Sequence, residues 1–423
     1  MGARTDRTAG RLALGLADSA VSSIGNLGVS VLAAHLCSLT GFGVFATAML
    51  VLLLATMAAR SGHGEALVLR IRDGGASPAD VQDSTTSVVR LSGALGGGIA
   101  VLATVVGFVA GFGEGLTTVL VAAAALPLLC LQDHLRWIEY ARGASQHALV
   151  NNALWTGTSL GALAAAAAVV PHPVSAPLCL AAWAAGTIPG IAYGLRRTGV
   201  SLTPALRPGW LQRNRRLATP LFLDFTLTQA TAQGATLVIA ALAGPLDMAA
   251  IRKGQIWLGA AAVATTGLLA ALQPLLAQRA AVQGHAATVR LGTLLGLAGM
   301  AGLLLYGLVV ALLPGDLARV LVGEGWDEAR PFVWPLAVQA AAGLLGGCWG
   351  LSLRVTGRLA AQVRWRTVLG PLSLVVVAVV TAGAGAVAGT WALAAVAAGT
   401  TAVWGVLLAT ADREERRRVP VIV

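Results

Sequence analysis

Over 423 residues, hydrophobic side chains make up 57% of the chain and charged ones 11%, with a mean hydropathy of +0.77. A soluble domain carries about 25% charged residues, so this balance excludes an ordinary water-soluble enzyme and points to a polytopic membrane protein. The formal net charge of +11 would suit a nucleic-acid binder, but the basic residues alternate with apolar runs instead of gathering on one domain, so nucleic acid is not an expected partner.

The first residues, MGARTDRTAGRLALGL, mimic a secretion signal. The apolar run continues to Leu39 and contains Asp18 and Asn26, which reads as a first transmembrane helix instead. Charge clusters and Gly/Pro breaks then divide the chain into about twelve spans of about 20 residues, each enough for about 30 Å of hydrocarbon. They run Leu12–Leu36, Phe42–Leu67, Val88–Phe112, Leu116–Ile138, Ala148–Val170 and Leu178–Leu195. After a basic stretch come Ala218–Ala243, Met248–Ala277, Leu291–Leu313, Phe332–Leu353, Val368–Ala388 and Trp391–Ala409.

The basic stretch, RRTGVSLTPALRPGWLQRNRR from Arg196 to Arg216, sits near the midpoint of the chain. Pro204, Pro208 and Gly209 bar a single long helix there. Beyond it the sequence restarts: Arg11-Leu12-Ala13 followed by Asp18 returns as Arg216-Leu217-Ala218 followed by Asp224. The expected organisation is a six-helix lobe over residues 1–195, a basic linker over 196–217, a second six-helix lobe over 218–409 and a basic tail over 410–423. With the N-terminus inside, every basic residue except Arg252, Lys253, Arg319 and Arg330 falls on cytoplasmic segments or on the span ends beside them, which places both termini in the cytoplasm. Trp326, Trp334 and Trp391 are expected at the outer interface, and Trp137, Trp155 and Trp365 at the inner one. The longest external loop, PGDLARVLVGEGWDEARP, has room for a short helix but not for a catalytic domain.

Polar residues inside the spans are the candidates for function. Ser19, Ser22, Ser23, Asn26 and Ser30 recur at helical spacing in span one; Thr226, Thr228, Gln229, Thr231, Gln233 and Thr236 do the same in span seven. Lipid offers such groups no partner, so they face either a neighbouring helix or a hydrated cavity between the lobes. Asp18 and Asp224 lie about 10 Å inside their helices at 1.5 Å per residue, which fits an inner gate or, alternatively, an ion-coupling site. The end of span four, QDHLRWIEYARG, places Asp133, Arg136, Glu139 and Arg142 at three-residue steps, where opposite charges pair along one helix face. Arg60 and Glu65 form a similar pair. These read as solvated interfacial pairs or as an inner gate and headgroup platform. Arg252 and Lys253 lie on the outer side of span eight, where the positive-inside rule disfavours cations. Neighbouring helical positions diverge, so one of the two can snorkel to the interface while the other faces a cavity. Gln255 shares the face of Arg252, and an arginine there would offer a bidentate fork to a phosphate.

Other motifs carry less. Cys37, Cys130, Cys179 and Cys348 lie in apolar runs without metal-ligand or disulfide-framework spacing and read as small packing residues. The cluster Gly93-Ala94-Leu95-Gly96-Gly97-Gly98 lacks a preceding strand and a GK[ST] ending, so close helix packing explains it better than a nucleotide loop. No catalytic triad, metal cluster or carboxylate pair is legible. No cofactor is expected, and proton or sodium coupling is the plausible energy source.

Four stretches carry a resemblance: LADSAVSSIGNLGVSVLAAHLCSLTGFGVFATAMLV, QDHLRWIEYARGASQHALVNNALW, TPLFLDFTLTQATAQGATLVIAALAGPLDMAAIRKGQIWLG and LVGEGWDEARPFVWPL. Together they resemble the multidrug/oligosaccharidyl-lipid/polysaccharide (MOP) flippase superfamily, in its bacterial polysaccharide-exporter (Wzx-like) branch. That resemblance implies an all-α fold of two six-helix lobes around a central cavity, alternating access, and a lipid-linked pyrophosphate glycan as substrate. It also implies membrane lipids and the pathway's glycosyltransferases and polymerase as partners, and the bacterial cytoplasmic membrane as location. Arg252, Lys253 and Arg60 would then be the cavity cations; span one has none, which speaks against a lipid II substrate. A cation-coupled multidrug exporter leaning on Asp18 is the alternative. A non-transporting scaffold of an envelope assembly is the second. The major-facilitator pattern after span two is missing from RIRDGGASPADVQD.

Overall fold

The computed structural model describes residues 2–72, 77–202 and 209–418. The centre of the expected linker (203–208) and the end of the expected tail (419–423) lie outside these residues. Among the described residues all regular structure is helical. In chain order the helices are α1 (Gly2–Leu36), α2 (Leu39–Ala59), α3 (Ala66–Arg72), α4 (Pro78–Ala110), α5 (Glu114–Ala141), α6 (Ser145–Val169), α7 (Ala176–Ala185) and α8 (Thr187–Thr198). They continue with α9 (Trp210–Arg213), α10 (Arg215–Phe225), α11 (Thr231–Ala243), α12 (Pro245–Ala311), α13 (Gly315–Val322), α14 (Trp326–Val355) and α15 (Leu359–Arg418).

Two π-helical turns, Arg60–Glu65 and Thr226–Ala230, join α2 to α3 and α10 to α11. α12 and α15 each contain one glycine at positive φ, Gly284 at 79° and Gly385 at 83°, so each is two helices meeting at a break that only glycine enters cheaply. Counting each broken helix as two, and each π-joined or Gly186-bent pair as one, gives twelve long rods among the described residues. These match the twelve expected spans in position. Among the described residues nine stretches meet both length and hydropathy requirements for crossing a membrane, and one of them, Leu359–Thr410, holds two rods. The protein is an all-α polytopic membrane protein. Its surface agrees: Phe108 and Val109 on α4 are 81% and 85% exposed, which water would penalise and lipid does not.

The chain forms two compact units, Met1–Gln233 and Gly234–Val423. The division falls within the seventh rod, because α9 and α10 belong with the first unit. Trp210, 1% exposed, packs with Leu67, Leu131, Leu135 and Ile138, and its indole donates to Gly62 O at 3.4 Å. Arg70 donates to Asn214 Oδ1 at 2.6 Å, and Arg213 pairs with Asp83. The described end of the basic stretch is thus docked helix, held against the first unit by the apolar surface of Trp210 and Leu211.

In the second unit the core gathers Ile239, Ile251, Phe332, Leu336 and Val377, with another cluster around Leu272, Leu276, Leu303 and Leu344. Two tryptophans expected at interfaces are core residues instead. Trp326 is 1% exposed against Trp257, and Trp155 is 8% exposed against Trp183, because burial of a large ring outweighs interface anchoring where neighbouring helices leave room.

Candidate functional site

In the first unit, α1, the π turn after α2, and α5 bring their charges together at one end. Asp133, just over two turns before the end of α5, accepts a two-pronged contact from Arg60 at the start of the π turn, Nε at 2.9 Å and Nη2 at 2.7 Å. The Arg60 guanidinium also lies 5.6 Å from the centre of the Trp137 ring. Arg136, one turn beyond Asp133, reaches back to it at 3.3 Å and across to Asp18 of α1 at 3.5 Å. Tyr140, one turn further on, donates its hydroxyl to Asp18, and Asn152 of α6 donates to the Asp18 carbonyl at 3.0 Å. Two arginines and two aspartates form a neutral chain.

Asp18 is 1% exposed, Asp133 3% and Arg136 7%. Removing such ions from water costs several kcal/mol apiece, which is offset here by pairing and by the two-pronged geometry. The network is not saturated. Asp18 Oδ1, Arg136 Nε, Asn152 Oδ1, Glu139 Oε1 and both ring nitrogens of His134 are buried without a hydrogen-bond partner. Each such atom left without a partner in a low-dielectric interior carries a desolvation cost that the ion pairs around it must offset.

This arrangement corrects the expected ladder. Asp133 and Arg136 do pair at i+3, but both are recruited across helices, by Arg60 and Asp18. Glu139 is 3% exposed and makes no ion pair among the described residues, and Arg142 donates to Thr198 O at 3.1 Å. Arg60 turns to Asp133, not to Glu65. Of the two expectations, the solvated pairs do not hold: Asp133, Arg136 and Glu139 are buried, and contacts from the π turn and α1 enclose the first two. Asp18 and Asp224, which the half-repeat makes equivalent, also differ: Asp18 is enclosed, whereas Asp224 on α10 is exposed. Asn26 is half-buried, with its carbonyl accepting from Ser30 at 2.8 Å; Gln229 is exposed and Gln233 half-buried.

Beside the network, also within the first unit, lies an apolar cavity of about 420 Å³. Ala59, His63, Leu91, Leu126, Cys130 and Phe222 are among its walls. His63 comes from the π turn, its Nε2 3.0 Å from Ser87 Oγ, and its ring meets that of His134 edge-on at 6.4 Å. The π turn is what brings His63 and Arg60 to their places. Gly64 permits it, since a Cβ there would stand 3.0 Å from Trp137.

In the second unit the two cations of α12 part company. Lys253 is 2% exposed and donates to the Glu324 carbonyl between α13 and α14, so its ammonium helps to hold that loop. Arg252 is half-buried and donates from Nη1 to Gln255 Oε1 at 3.2 Å, one turn along the same face. Sequence reasoning did not single out Tyr140, His63, His134 or Asn152. Tyr140 was within reach, because it follows Arg136 at i+4; the others needed the helix packing.

No family model and no curated protein matches the sequence. Solved structures do. The chain is similar to an inward-facing multidrug resistance MATE family transporter of the MOP superfamily, with 12% identity and a TM-score of 0.68 over 94% of this chain and 96% of the other. It is similar to the lipid II flippase MurJ in an inward closed conformation, with 10% identity and a TM-score of 0.70 over 92% and 85%. A MOP superfamily transporter from Pyrococcus furiosus Vc1 (DSM3638) gives 13% identity and 0.60 over 95% and 94%. The chain has the fold of these MOP-superfamily transporters.

Proposed function

We propose that this protein is a secondary transporter that moves a lipid-linked pyrophosphate glycan across the bacterial cytoplasmic membrane by alternating access, with both termini cytoplasmic. A proton or sodium gradient supplies the driving force, and no bound cofactor takes part. The observation that carries the reading is the separation of Arg252 from Lys253. Lysine is committed to the loop before α14, while Arg252 and Gln255 share one helix face near the start of a span. A guanidinium in that position suits a pyrophosphate, which it grips with two parallel bonds, and the positive end of α12 adds to the attraction. The lipid II flippase among the structures of this fold moves a lipid-linked substrate, which supports the same class here.

The test is complementation. A strain lacking the gene should accumulate its lipid-linked glycan on the inner leaflet, and the wild-type chain should clear it. Arg252→Ala should fail to clear it while reaching the membrane in normal amount, and Arg252→Lys should restore it in part. Full clearance by Arg252→Ala would overturn the reading. A cation-coupled drug exporter is favoured by one observation, the enclosed Asp18 of α1 tied to Arg136 and Tyr140. Loss of drug resistance in Asp18→Asn, with glycan export unaffected, would select it.

A further inference from the structure

At the opposite end of the first unit from the charge network, two cysteines meet. Cys37, just past the end of α1, and Cys179, on the first turn of α7, have their sulfurs 3.4 Å apart across 142 residues of sequence. Both are buried, at 8% and 0% exposure, and both are free thiols in the structure. The backbone holds them in register: Val174 N–H donates to Leu36 O at 2.8 Å, and Glu114 of α5 accepts from Ala176 N–H at 2.7 Å. Cys130 lies in the cavity wall, and Cys348 belongs to the second unit.

The compartment follows from charge. The ends of α1, α5 and α7 that meet here, and the segments 111–114 and 170–175 beside them, contain no arginine or lysine. The other ends of the same rods carry Arg136 on α5, Arg142 just past it, and Arg196 and Arg197 on α8. By the positive-inside rule the cysteine end faces away from the cytoplasm, where thiols are oxidised instead of kept reduced.

We infer that Cys37 and Cys179 form a disulfide in the mature protein, which clamps the outer end of α1 to α7. The bond arises by thiol–disulfide exchange with an oxidised dithiol oxidoreductase of the extracytoplasmic space. The thiolate of Cys37 attacks its disulfide and forms a mixed disulfide. Cys179 then displaces the oxidoreductase, which leaves as a dithiol carrying the two electrons, and both thiol protons pass to water or to the departing sulfurs. Because both sulfurs are enclosed in the folded unit, exchange precedes final packing of α7. The consequence concerns transport: with Asp18 held at its inner end and Cys37 at its outer end, α1 moves with its unit as one body. This rests on the orientation proposed above, not on the identity of the substrate.

The experiment is a thiol count on the full-length, unsubstituted chain. Cells are quenched in acid, and the protein is denatured in excess N-ethylmaleimide before any reduction. Two adducts are expected, on Cys130 and Cys348, rising to four when reduction precedes alkylation; Cys37→Ser should give three without reduction. Four adducts without reduction would overturn the disulfide. A separate variant with all four cysteines replaced by alanine and His172→Cys added reports orientation through a membrane-impermeant maleimide. Labelling from outside is expected. Labelling only after permeabilisation would overturn the compartment argument, whereas outside labelling with four unprotected thiols would overturn the disulfide alone.

Discussion

The two units place their buried cations against different kinds of hydrogen-bond partner. In the first, Arg60 and Arg136 meet the carboxylates of Asp133 and Asp18, so that charge cancels charge. In the second, the hydrogen bonds of Arg252 and Lys253 reach an amide oxygen and a backbone carbonyl. Cancelled charge builds a joint, because removing either partner strands the other in a medium that cannot solvate it. The lesson is that intramembrane charge alone does not mark a binding site; the identity of the partner decides.

The strongest way to break this comparison is to remove the centre of the cancelled network. Asp133→Ala should destabilise the protein by about 3–5 kcal/mol, since it strips half-buried Arg60 of its carboxylate and leaves buried Arg136 with Asp18 alone. Thermal unfolding of the purified protein in detergent would register it. The double change Arg60→Met with Asp133→Leu should recover most of that loss, and an unstable double variant would mean that the network does more than neutralise itself.

A smaller effect is expected at Lys253. Lys253→Ala should cost about 1–3 kcal/mol by stranding the Glu324 carbonyl and opening space. Arg252→Ala should change stability little yet reduce glycan export about tenfold or more, one charge-assisted hydrogen bond being worth about 1.5–3 kcal/mol and each 1.4 kcal/mol a factor of ten. Equal stability losses at both positions would erase the contrast within the second unit.

Tyr140→Phe comes next. It removes the hydroxyl bonded to Asp18 without opening a cavity, for about 1 kcal/mol. A protein that is as stable as wild type but slower in transport would place Tyr140 among the moving parts. Arg213→Ala, which deletes a half-exposed pair with Asp83, should shift stability by no more than about 1 kcal/mol. A larger loss would mean that the docking of α9 depends on charge as well as on Trp210.

The sequence by itself determined the class of protein, the number and placement of the rods and the half-repeat. Each follows from apolar run length and from where arginine falls, and both are local properties. It also picked out Asp18, Arg60, Asp133, Arg136 and Glu139, since charge among apolar residues is conspicuous on a page. What it could not contain was partnership. The i+3 ladder on α5 looked self-sufficient because spacing reports only neighbours on the same helix. Arg60 from the π turn and Asp18 from α1 took those side chains once the rods packed. The equivalence of Asp18 and Asp224 dissolved for the same reason: matched positions in a repeat do not receive matched neighbours. Cys37 and Cys179 were read as packing residues, being 142 residues apart, and came together through the register of Leu36 with Val174. Which of two adjacent cations turns inward was likewise undecided until α13 and α14 placed the Glu324 carbonyl beside Lys253. Periodicity sets which residues share a face, but only the packed neighbour decides what that face meets.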